Sequence, residues 1–235
     1  MIYQWYTGSD STKGVARRLN ELNQRGPDAS VDEAVAALRD LLLIEHDPNW
    51  RGYLLWRVGR EYLKAERFKE AVATFFEAKD SFDPLLATSR DVRTEYCDTL
   101  YQLILHHYYD RDEMMTVAQL AAVITANLEE VQFNDAERAF VYYCQGFAFE
   151  ILAKRHSLDW LHPVALASYL RWHRLAPEEP ACLEHLAYSY FYVGDFKRSE
   201  LTAKMFLEVA PEGEMRTRVE TFLGSHGREL RDGKR

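Results

Sequence analysis

The sequence predicts an all-α protein, an α-α superhelix of about nine to eleven helices. Three observations carry that expectation. Apolar residues recur at helical spacing along most of the 235 residues, and no run keeps the strict alternation of a strand. Six of the seven prolines fall at the proposed helix boundaries, and Pro180 sits in the first turn of its helix, where a missing amide costs nothing. Finally, the spacing Leu55, Val58, Gly59, Tyr62, Ala71, Phe75, Ala78 returns as Leu183, Leu186, Ala187, Tyr190, Ser199, Ala203, Phe206, followed by Pro211. In each stretch a small residue precedes a second small residue by twelve positions, which suits two antiparallel helices at their crossing point.

Residues 1–11 mix aromatics with Gly8, Ser9, Asp10 and Ser11 and show no periodicity, so they form either an extended, loosely docked arm or a disordered one. Val15, Ala16, Leu19 and Leu22 make a helical stripe over 12–23, stopped by Gly26-Pro27. Ser30 and Glu33 fit a capping box that opens a helix running to about Ile44. The segment Glu33-Ala34-Val35-Ala36 returns 37 residues later as Glu70-Ala71-Val72-Ala73, and Asp47-Pro48 returns 36 later as Asp83-Pro84. A shift that constant makes 12–48 a degenerate first repeat and 49–84 the most regular one.

Tyr62 and Tyr190 lie 128 residues apart, so the centre holds about 26 residues more than three regular repeats need. Hairpins are expected at 91–109 with 112–128, and at 135–154 with 163–176, the latter opened by Asn134 and Glu137 and interrupted by a bulge at 155–162. A fifth pair follows at 178–193 and 195–210 with Gly194 at the turn. An amphipathic stretch to Leu223 then caps the last apolar face. The domain organisation is thus an arm (1–11), one helical-repeat domain with irregular central repeats (12–223) and a polar tail (224–235).

Leu55, Gly59, Tyr62, Ala71, Phe75 and Pro84 resemble the tetratricopeptide repeat, whose pattern runs W-x-x-L-G-x-x-Y, then A-x-x-x-F, then Pro. Gly146, Phe149, Ala165, Tyr169 and Pro177 resemble it again, with longer spacing between the helices. The resemblance implies that the first helix of each repeat lines a concave face. That places Tyr53, Trp56, Arg60 and Lys64 there from the second repeat, Tyr143 and Phe147 from the fourth, and Glu184, Tyr188 and Tyr192 from the fifth. Rings with a polar tip suit binding hot spots, or else they fill wide gaps between helices; spacing leaves both readings open. A chaperone-tail clamp of this family uses Lys and then Asn four residues on, where this chain has Trp56 and Arg60, so a more apolar peptide ligand is implied.

Composition sets outer bounds. Hydrophobic residues make up 47% and charged residues 28%, with a mean hydropathy of −0.38, the balance of an ordinary soluble protein. A net charge of −8 and a pI near 5.5 argue against a general nucleic-acid binder. Cys97, Cys144 and Cys182 are odd in number and far apart, which fits buried free thiols. No cationic start followed by an apolar stretch and no membrane-length apolar run is present, so a cytoplasmic address is expected.

Motifs for chemistry fail on spacing. Gly8 to Gly14 has the composition of a phosphate loop in the wrong order. His106 and His107 are adjacent and so point about 100° apart on a helix, unlike a chelating pair. Glu61, Glu95 and Glu150 lie among aromatics, but Arg57, Arg60 and Arg93 favour structural ion pairs over acid–base work. No metal and no cofactor is expected. The leading expectation is a non-enzymatic interaction module, adaptor or chaperone-like, holding a protein or peptide. The alternative is a helical enzyme or small-ligand sensor in which Glu150, His156, His162 and His173 converge at the irregular centre.

Overall fold

A computed structural model of the chain describes residues 30–83, 93–108 and 111–227, together with Arg17, Leu19 and Glu21. Among the described residues there are ten α-helices and no strand, as the periodicity predicts. The expected arm at 1–11 and most of the helix expected at 12–23 lie outside them, although Leu19 is buried.

The chain divides into two compact units. The first, up to residue 106 with 129–131, holds α1 (Val31–Ile44), α2 (Pro48–Lys64), α3 (Phe68–Phe82) and α4 (Arg93–His107, whose last residue falls in the second unit). The Ser30 hydroxyl accepts the Glu33 amide at 3.2 Å and opens α1. Asp47 accepts the amides of Asn49 and Trp50, and Pro48 at the first turn needs no partner.

The α2–α3 crossing is built on glycine. A Cβ on Gly59 would stand 2.7 Å from Phe75 Cε1, and one on Gly52 would stand 2.6 Å from Phe82 Cε1, so each glycine receives a buried ring from α3. Replacing Gly59 by leucine is expected to cost about 1–3 kcal/mol, the usual effect of overpacking, measured by urea denaturation. Unchanged stability would mean that Phe75 does not sit there. The turn between the helices closes with Arg67 N–H on Tyr62 O (2.9 Å) and with Glu66 in the left-handed region, φ 58°. Gly194 takes the same position after α8, at φ 83°, with Asp195 N–H on Tyr190 O (2.9 Å).

The second unit holds α5 (Met114–Asn127), α6 (Asp135–His156), α7 (His162–Leu175), α8 (Pro180–Tyr192), α9 (Phe196–Val209) and α10 (Glu214–Ser225). Asn134 and Glu137 form a complete capping box at the start of α6. The bulge expected at 155–162 is shorter than its sequence suggests. Lys154, Arg155 and His156 still belong to α6, where positive charge suits the carbonyl end, and left-handed Ser157 ends it. A short turn at Asp159–Leu161 then leads directly into α7. The last helix likewise runs two residues beyond the expected Leu223.

Ala139, Ala165, Tyr169, Trp172, Cys182 and Leu186 form one core of this unit, from α6, α7 and α8. Leu183, Ala187, Ala203, Phe206, Ala210 and Val219 form the next, from α8, α9 and α10. At the α8–α9 crossing the Ser199 hydroxyl donates to Ala187 O at 2.7 Å, twelve residues away, so the second small residue of the repeat pattern marks the contact. All three cysteines are free and buried, and burial pushes the Cys97 and Cys182 thiols up to about 12.

Candidate functional site

The predicted site residues divide by unit. In the first, Tyr53 tilts against Trp56 with ring centres 5.5 Å apart. The Trp56 indole donates to Asp98 on α4, and Arg60 pairs with the same carboxylate at 3.6 Å. Lys64 turns back to Glu61 at 2.7 Å. The polar tips of Trp56, Arg60 and Lys64 therefore engage groups of their own unit. The ion pairs expected here form with different partners: Glu61 takes Lys64, Arg60 takes Asp98, and Arg93 takes Glu130. Residues three or four apart on a helix, or on adjacent helices, meet more readily than those merely close in sequence.

In the second unit Tyr143 and Phe147 are half-buried members of an aromatic cluster rather than open rings. Tyr143 meets Tyr108, Phe140, Phe147, Trp172 and His185 at centroid distances of 5.0–6.2 Å. Its hydroxyl bonds that of Tyr108, and burial pushes its phenol well above the usual range. Tyr192 is stacked on His162 (4.6 Å, 9° between planes), with the Lys154 ammonium 5.0 Å from its ring centre.

Behind these rings lies a buried polar network. Glu150 Oε2 accepts the Tyr169 hydroxyl at 2.8 Å and faces His185 Nδ1 at 3.1 Å, while Oε1 takes Lys154 at 2.6 Å. Burial disfavours the carboxylate, but the His185 hydrogen bond and charge, with Lys154, outweigh it and hold the group at about 2. A carboxyl held that low carries no proton to donate near neutrality and is a weak base. The alternative convergence of Glu150, His156, His162 and His173 is not what forms. His156 is exposed at the end of α6, His162 stacks on Tyr192, His173 lies on α7, and the partner of Glu150 is His185. Among the described residues no group of three or more His, Cys, Asp or Glu could hold a metal ion.

Glu184 and Tyr188 lead to the last helix. Glu184, 4% exposed, takes Arg218 in a two-pronged pair at 2.8 and 2.9 Å. That pair raises the Arg218 guanidinium above its ordinary value. Tyr188 meets Phe222 edge-on at 4.9 Å. Both contacts join residues 34 positions apart. The start of α10 also repeats the start of α2: Arg216 Nη1 reaches Leu207 O and Ala210 O (both 2.9 Å), as Arg51 Nη1 reaches Leu42 O and Glu45 O (2.8 and 2.9 Å). In each case the carbonyls lie nine and six residues back. The last helix is thus placed as the first helix of a further repeat, beside α8. An open cleft of about 400 Å³ lies between them, lined by Tyr188, Arg218, Phe222 and His226 with Glu214 and three hydroxyl residues. The cleft residues on α10 were not anticipated from the sequence; the 34-residue offset from Glu184 and Tyr188 was the available signal.

Paired helices crossing at small residues, with first helices that carry the aromatics, make a helical-repeat fold. No protein-family model matches the chain, and no curated protein matches it. Among solved structures, YrrB, described as a TPR protein with an unusual peptide-binding site, aligns over 91% of this chain and 98% of its own at 14% identity and a TM-score of 0.55. The MamA protein aligns over 84% of this chain and 92% of its own, at 17% identity and a TM-score of 0.51. The fold is that of tetratricopeptide-repeat proteins, with degenerate repeats, as the resemblance implied.

Proposed function

We propose that the chain is a non-enzymatic interaction module, an adaptor or chaperone-like protein, that holds a peptide or partner surface on the aromatic faces of its first helices. The observation that carries this reading is the cleft between α8 and α10, into which Tyr188 presents a half-buried ring. Of the residues singled out for binding, Tyr188 lies in that cleft. Tyr143, Phe147, Glu184 and Tyr192 brace the helices around it, and Tyr53, Trp56, Arg60 and Lys64 form a separate patch on the first unit. The partner in this reading is a protein or peptide and not nucleic acid, given the net charge of −8. Three buried free thiols favour a reducing compartment such as the cytoplasm. Among the described residues no helix is long and apolar enough to cross a membrane.

Selection of peptides from a displayed random library against the immobilised protein tests this reading. Tyr188→Ala is expected to keep the helical circular dichroism and to weaken the selected peptides by about 2 kcal/mol or more, the threshold of a hot spot. Undiminished binding by the folded variant would remove the cleft from consideration. A loss of helicity would assign Tyr188 to the core.

A further inference from the structure

The chemistry of the α8–α10 cleft selects its ligand. Two of its hydroxyls spend their protons on their own helix: Thr217 donates to Gly213 O at 3.2 Å and Ser225 donates to Thr221 O. The oxygens of Thr217 and Ser225 are thereby left as acceptors. The one guanidinium in the lining, Arg218, is already neutralised by Glu184 in two-pronged contact and lies 3.4 Å from Glu214. Although its side chain is about half exposed, Arg218 stands between two carboxylates, Glu184 and Glu214, which together outweigh its single charge. Glu214, by contrast, is 89% exposed at the rim, and the rings of Tyr188 and Phe222 form an apolar wall with electron-rich faces.

Resting on the reading of this cleft as a binding site, we infer that its occupant is a basic segment of an extended peptide, with an arginine or lysine side chain laid over Tyr188 and Phe222 and its charge at Glu214. A chain carrying a net charge of −8 is complementary to such a partner. The peptide part follows from the acceptor row. Thr217 and Ser225 are two turns apart, about 12 Å along α10. That length matches about four residues of extended chain, whose amides are donors.

The test uses the full chain, isotope-labelled, and the tetrapeptide acetyl-Gly-Gly-Arg-Gly-amide followed by NMR. Saturable shifts are expected at Tyr188, Thr217, Phe222 and Ser225. Affinity should fall about three- to fivefold in Glu214→Gln, an exposed position whose change leaves the fold intact, and should fall with added salt. The glutamate tetrapeptide should produce no saturable shift, and butylguanidinium alone should bind several-fold more weakly. Absence of saturation by the arginine peptide, or equal affinity in Glu214→Gln, overturns the inference. Saturation of the same resonances by the glutamate or leucine tetrapeptide but not by the arginine one overturns the cation while leaving the cleft as a binding site. Equal binding of butylguanidinium overturns the peptide part.

Discussion

Gly146→Leu is expected to be among the most damaging single changes in the chain, lowering stability by roughly 4 kcal/mol, the sum of an overpacked contact and a broken buried hydrogen bond. A Cβ at this position would stand 2.6 Å from Tyr169 Cε1. Tyr169 is wholly buried, stacks on His185 at 4.9 Å, and is anchored at its far end by Glu150, so its ring cannot swing aside without unmaking the network. Phe75 over Gly59 has no such anchor, and the same substitution there should cost less. Gly224 provides the opposite control. Nothing lies within 4 Å of its Cβ position, so Gly224→Ala should be neutral or should stabilise α10 by about 0.5–1 kcal/mol. Urea denaturation of the three variants decides the matter. Gly146→Leu within about 1 kcal/mol of the wild type would show that Tyr169 does not cover this glycine.

Much of this fold was legible because its signals are local. Asn134 with Glu137, Ser30 before α1, and Gly194 at a turn each act within one helical turn, and each works as its residue type requires. The crossing points were legible too, since two small residues twelve apart need only the repeat spacing to be recognised, as with Ala187 and Ser199; that the ring of Phe75 covers Gly59 was not part of that pattern. The site was much less so. Spacing names the helix face an aromatic occupies but not what meets it, and a one-residue error in register rotates a side chain by about 100°. Tyr143 and Phe147 thus turn out to be cluster members, while Trp56 directs its indole N–H to Asp98. The pairing of Glu150 with His185 spans 35 residues and leaves no mark in either local segment. The last helix reads as a cap in sequence because its outer face is polar; its second role beside α8 rests on Arg218 and Phe222, which helical periodicity alone does not distinguish from other half-exposed positions.

The buried carboxylate makes acid stability a direct test of the network. Glu150 is held at about 2 in the folded protein against an ordinary value of 4.5. Because the folded value is the lower one, the stabilisation is fully present above about 4.5 and is lost as the pH falls from there through about 2. A tenfold change in proton affinity corresponds to about 1.4 kcal/mol, so the contribution is of the order of 2–4 kcal/mol. Other carboxylates titrate in the same range, so the informative quantity is the difference from Glu150→Gln, which keeps an acceptor for the Tyr169 hydroxyl but cannot ionise. That difference should be largest near neutrality and should shrink steadily across the window. Glu150→Leu should be worse than Glu150→Gln near neutrality, by about 1–3 kcal/mol, because it strands the Tyr169 hydroxyl in the core. Adding Tyr169→Phe to Glu150→Leu should recover part of that loss, since an absent hydroxyl needs no acceptor. A gap between the wild type and Glu150→Gln that stays constant from neutrality to the acid limit would show that the carboxylate is not held by His185 and Lys154, and the network would then have to be assigned a packing role alone.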